Sequence, residues 1–144
     1  MVDDAKTGVK ASLTAEEQAV VDRAIALAAK SGYIMELHQC FRNAQAVLAA
    51  DHTHPEGSRT LCYHEGYAPA PEGAAPHAWV TVNGKIVDVT LQVSDKYESL
   101  FDKIKYYGAE MIPVETVLSY FTQAVKDGKY GSVRGLILIP REMI

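Results

Sequence analysis

Pro76-His77-Ala78-Trp79-Val80-Thr81-Val82-Asn83-Gly84-Lys85-Ile86-Val87-Asp88-Val89-Thr90 is the stretch on which the reading of this chain turns. It reads as two short strands joined by Asn83-Gly84. An Asn-Gly pair between such runs is the strongest short-range hairpin signal, because a type I′ turn needs positive φ at both central residues. A two-residue loop sets the register: Val82 opposite Lys85, Val80 opposite Val87, Trp79 opposite Asp88, His77 opposite Thr90. Side chains alternate along a strand, and opposed residues share a face. One face then carries Ala78, Val80, Val82, Val87 and Val89 and reads as core. The other carries His77, Trp79, Thr81, Ile86, Asp88 and Thr90. On it an imidazole and a carboxylate lie diagonally across two strands, with Cα atoms roughly 7–8 Å apart, in reach of a hydrogen bond. A carboxylate on one imidazole nitrogen sets the tautomer and leaves the other nitrogen for proton transfer. The hairpin supplies two thirds of a catalytic triad and asks for a nucleophile elsewhere.

The bulk properties bound the search. The chain has 144 residues, 48% hydrophobic and 22% charged, with a net charge of −4. That suits one soluble domain with a sizeable core. The acidic balance and the lack of a like-charge block argue against a nucleic-acid or anionic-membrane surface. No run approaches a membrane span. Met1-Val2-Asp3-Asp4 lacks the apolar stretch of a secretory signal. Two cysteines make no disulfide framework, so a reduced, cytoplasmic setting is expected.

Residues 1–11 are polar and read as a flexible N-terminal tail, ahead of a single domain over 12–144. Thr14-Ala15-Glu16-Glu17 fits a capping box. Val20, Val21, Ala24, Leu27 and Ala28 follow at helical spacing, and Gly32 closes the run. A second helix starts near Cys40, with Cys40, Ala44, Val47 and Leu48 on its buried face and Arg42 and Gln45 elsewhere. It ends near Asp51, before a turn-rich loop. Arg59 to Ala68 reads as a strand, with Leu61, Tyr63 and Tyr67 on one face and Cys62, His64 and Gly66 on the other. Pro69-Ala70-Pro71-Glu72-Gly73-Ala74-Ala75-Pro76 reads as a loop, either a substrate cover or a plain connector. Ser94 can cap a short helix with Tyr97, Leu100, Phe101 and Ile104 inward. Tyr106 to Ile112 is a strand or an extended crossing. Pro113 opens a helix with Val114, Val117, Leu118, Phe121 and Val125 inward. Leu136-Ile137-Leu138-Ile139 reads as a strand buried on both faces. Helices first and a mostly antiparallel sheet after them make the class α+β, with N-terminal helices packed on the sheet.

Cys40 is the candidate nucleophile. The thiolate does such chemistry, and both a helix N-terminus and a neighbouring imidazole favour it. The backbone amide of a first-turn residue has no intrahelical acceptor, so Cys40 can itself donate to an oxyanion, with Gln39 as a second candidate donor. Trp79 and Tyr67 are candidate substrate contacts, against a packing role for each. Cys62 sits mid-strand and reads as core. Tyr106-Tyr107 read as core or rim.

Cys40 on a helix, Glu65-Gly66-Tyr67-Ala68, His77-Ala78-Trp79-Val80 and Val87-Asp88-Val89-Thr90, in that order, resemble the core of the transglutaminase-like superfamily within the papain-like cysteine fold. The resemblance spans about a third of the chain, Cys40 to Thr90. It implies a Cys40–His77–Asp88 triad: nucleophile, general base and acid, and orienter. It implies acyl transfer at an amide or ester carbonyl through a thioester, on a protein, peptide or small amide substrate, with no cofactor. No tryptophan precedes Cys40, and the chain lacks room for the calcium domains of animal cross-linking members. A small stand-alone hydrolase or amidase is therefore favoured over a cross-linker. Two other readings stand beside it. One is a catalytically idle, protein-binding relative. The other is a zinc module built from His38, Cys40, His52, His54, Cys62 and His64, whose spacings match no standard finger.

Overall fold

The computed structural model describes residues 4–70, 73–93 and 101–137. Among them the chain runs α1 (Asp4–Thr7), α2 (Ala15–Lys30), α3 (Cys40–Thr53), β1 (Cys62–Ala70), β2 (Gly73–Val82), β3 (Lys85–Val87), β4 (Tyr107–Ile112) and α4 (Val114–Lys126). The strands form one antiparallel sheet in the order β3-β2-β1-β4. The architecture is α+β, as expected.

The Asn83-Gly84 turn forms as read, with φ of 51° and 76°. It pairs Val82 with Lys85 and Val80 with Val87. The ladder ends there, so the expected pairings of Trp79 with Asp88 and His77 with Thr90 do not form. Asp88 instead starts a turn: its carboxylate accepts from Leu91 N at 3.3 Å and its carbonyl from Gln92 N at 3.2 Å. Aspartate does this readily, because its short side chain competes for nearby backbone donors. Thr90 is carried away from the expected face and accepts from Asn43 of α3 at 3.0 Å.

The core face is the expected one. Ala78, Val80, Val82, Val87 and Val89 pack with Leu61 and Tyr63 of β1 against Val21, Ala24, Leu27 and Ala28 of α2 and Ala44, Val47 and Leu48 of α3. Each aliphatic side chain so buried contributes about 1.5–3 kcal/mol. The capping box on α2 is present: Thr14 Oγ1 accepts from Glu17 N at 3.1 Å, and Glu17 Oε1 from Thr14 N at 2.8 Å. Glu17 also accepts from Lys85 Nζ at 2.7 Å and Asn83 Nδ2 at 2.8 Å, which ties the helix start to the hairpin tip. These partners, Lys85 first, lower its carboxyl to about 2. Helix α4 begins after Pro113 and buries Val117 and Phe121 as expected, with Phe121 packed against Ala46 and Ala49 of α3.

Helix α3 lies between sheet and α4, so nearly all of it is buried. Arg42 and Gln45, expected to point elsewhere, are inside. Gln45 donates to Tyr63 Oη at 3.1 Å and Arg134 O at 2.6 Å, and Arg42 pairs with Glu36 at 2.6 Å. Three further expectations fail for nameable reasons. The Pro-rich loop is largely strand: β1 runs through Pro69 and β2 starts at Gly73. Pro76 is tolerated because β3 is so short that β2 has no described neighbour beyond β1 from Gly73 to Trp79, and Pro69 because β4 pairs with β1 no further than Tyr67. The N-terminal stretch, from Asp4 on, is not a loose tail. Thr7 O accepts from Trp79 Nε1 at 2.8 Å, Lys6 O from His64 Nδ1, and Val9 bridges to Lys85. Leu136 and Ile137 form no strand, and Ile137 is 53% exposed. Their amides are taken by the buried Glu65 carboxylate, at 2.7 and 2.8 Å, rather than by a ladder. Leu138, Ile139 and the proposed helix start at Ser94 to Leu100 lie outside the described residues.

Candidate active site

Three elements deliver three side chains to one place. Cys40 is the first residue of α3, His77 stands on β2 beyond the end of β3, and Asp88 begins the turn that follows β3. His77 Nε2 donates to Asp88 Oδ2 at 2.6 Å. A carboxylate accepts only, so Nε2 carries the proton and Nδ1 is the nitrogen left for a second partner. The half-buried thiol of Cys40 lies beside the imidazole and, with Asp88, raises its pKa. Burial acts to lower the pKa of His77. The hydrogen bonds to Asp88 and Cys40, with the charges of both, overcome it and hold the imidazole up at about 10.

Asp88 is fully buried, while the His77 side chain keeps 17% of its surface. The carboxylate is therefore sealed and the imidazole reaches the outside. Asp88 has a further donor that the sequence did not reveal: Tyr106 Oη donates a hydrogen bond to Asp88 Oδ2 at 2.7 Å.

The approach to Cys40 is pinned as well. Asn43, fully buried one turn along α3, accepts from Glu36 N at 3.2 Å and donates to Glu36 O at 2.7 Å and to Thr90 Oγ1. It thus links the connector before the nucleophile to the turn that holds Asp88. His38 takes a φ of 70°, a left-handed angle that costs a non-glycine residue about 1–3 kcal/mol, and so turns the connector into the helix. The only sign of Asn43 in the sequence is an amide among the small residues of α3. Nothing in the sequence connects Tyr106 with Asp88.

Other expected site residues fall as follows. Gln39 is the residue before α3; its side chain is exposed and makes no capping bond. Tyr67 is half-buried, with its ring 6.2 Å from that of Tyr107. Trp79 has no exposed surface, so the expected substrate contact is corrected to packing. Its ring sits 4.9 Å from Tyr106 and 6.1 Å from His77, and Gly66 makes room for it: a Cβ there would come within 2.6 Å of the indole. Cys62 opens β1 opposite Thr81, away from His77.

The zinc reading finds no ligand set. His64 lies between Lys6 O and Thr81 Oγ1, His52 donates to Leu61 O at 2.8 Å, and His54 accepts from Glu56 N at 3.1 Å. Among the described residues no three His, Cys, Asp or Glu side chains gather as a metal site. No described helix is long and apolar enough to cross a membrane. Comparison with models of protein families, with curated proteins and with solved structures finds no match to this chain.

Proposed function

We propose that this protein is a cysteine hydrolase or acyl transferase of transglutaminase-like, papain-like architecture, acting on an amide or ester carbonyl. The observation that carries the reading is the imidazole of His77, held by Asp88 on one nitrogen and engaged by Cys40 at the start of a helix. An imidazole held up at about 10 is an imidazolium at neutral pH, able to hold a thiolate beside it.

The sequence of steps is short. Cys40 attacks the carbonyl carbon as the thiolate of a thiolate–imidazolium pair, its proton already resting on His77. The carbonyl electrons move to oxygen, and the backbone amide of Cys40, unpaired within the helix, donates to that oxyanion. When the carbonyl re-forms, the bond to the leaving amine or alkoxide breaks, and His77 returns the proton to it. Water or an amine, deprotonated by His77, then attacks the thioester and releases Cys40. Asp88 keeps the imidazole in the tautomer that puts Nδ1 toward sulfur.

An activated aryl ester tests this. The unaltered chain should form an acyl adduct on Cys40, seen as a mass increase, and turn it over. Asp88→Asn should stay folded and lose turnover by on the order of 10³–10⁴-fold, the effect of a misoriented tautomer. Near-normal turnover in that variant, or an adduct elsewhere than Cys40, would sink the assignment.

A further inference from the structure

Tyr106 is a fourth group at the centre of the site, and no step above uses it. Its hydroxyl and His77 Nε2 converge on the same oxygen, Asp88 Oδ2, at 2.7 and 2.6 Å, while Asp88 Oδ1 receives Leu91 N. The phenol is held with little freedom. Tyr106 is buried, its ring 4.9 Å from Trp79 at 60° and 6.0 Å from Phe101. Trp79 is itself tied to Thr7 O. A tyrosine needed only for packing would be served by phenylalanine, and here the hydroxyl aims at the one carboxylate that orients the imidazole.

We infer that Tyr106 is a positioning residue of this site, whose hydroxyl pins the Asp88 carboxylate and draws off part of its charge, so weakening its hold on His77. This rests on the proposed triad for its meaning in catalysis, though not for its test. A hydroxyl donating to a carboxylate stabilises the anion, and the same oxygen then attracts the imidazolium less. Removing the donor returns that charge to His77. Strengthening the donor withdraws more of it.

The test reads His77 directly, by nuclear magnetic resonance of isotope-labelled histidine titrated from neutral to alkaline pH. Tyr106→Phe keeps the ring and loses the hydroxyl. His77 should then hold its proton to a higher pH, by about half a unit or more. Fluorotyrosine placed at residue 106 has a more acidic hydroxyl and should shift the titration the opposite way. In an Asp88→Asn background, Tyr106→Phe should add nothing further. An unchanged or lowered titration in Tyr106→Phe, or the same sign of shift for both substitutions, would overturn the inference. The readout needs no turnover: a Cys40 that forms no acyl adduct would defeat the proposed activity while leaving the Tyr106–Asp88–His77 coupling to be judged on these shifts.

Discussion

Two buried carboxylates, one on β1 and one in the turn after β3, each receive a tyrosine hydroxyl. Tyr63 Oη donates to Glu65 Oε2 at 2.6 Å, and Tyr106 Oη to Asp88 Oδ2 at 2.7 Å. They differ in what else they hold. Glu65 binds the backbone amides of Leu136 and Ile137, which cannot titrate and come from a segment remote in sequence. Asp88 binds an imidazole that also meets a thiol. The same functional group is thus a clamp in one place and, in the proposed triad, the orienter of an imidazole in the other. Burial of a carboxylate does not tell the two apart; the chemistry of its partners does.

The largest expected effect separates them by stability. Glu65→Ala removes the acceptor of three donors. At roughly 1 kcal/mol for each hydrogen bond lost, unfolding free energy in urea should fall by about 3 kcal/mol. Asp88→Asn keeps an acceptor oxygen and should cost clearly less, while removing turnover. If Asp88→Asn proves the more destabilising, the contrast between clamp and orienter is wrong.

A second effect follows from pH. His77 is raised from its ordinary 6.5 to about 10 on folding, so the folded state binds its proton more tightly than the unfolded chain. Its contribution to stability is complete below about pH 6.5, and is lost as pH rises through about 10. Subtracting the unfolding free energy of His77→Gln from that of the unaltered chain should show this fall. The Glu65→Ala variant should retain it, because its histidine is untouched. A difference that is flat across this window would mean that Asp88 and Cys40 do not hold the imidazole as described.

Much of this was legible in the sequence because it is local. Asn83-Gly84 defines a turn by its own backbone needs, Thr14 and Glu17 cap a helix three residues apart, and Pro113 starts α4. The triad candidates followed from that turn, since the register brought His77 and Asp88 within reach even though the ladder stops at Val87. What escaped the sequence is long-range and polar. Glu65 binds amides some seventy residues on, which turns an apolar run from strand into a clamped segment. Tyr106 meets Asp88 from 18 residues further along the chain. Trp79 looked free to face substrate because alternation says which face a side chain takes. It does not say that α1 and Tyr106 will cover that face.

The central claim is that Cys40, and not Cys62, is paired with His77, and alkylation tests it most directly. The native chain would be treated with iodoacetamide from pH 5 to 9, in unaltered form and as His77→Ala, with both cysteines followed by mass spectrometry. At pH 6 Cys40 should react about tenfold or more faster than Cys62, and His77→Ala should remove the advantage, since a thiol without an activating partner is mostly protonated there. A Cys40 as inert as Cys62, or one whose reactivity ignores the loss of His77, would contradict it.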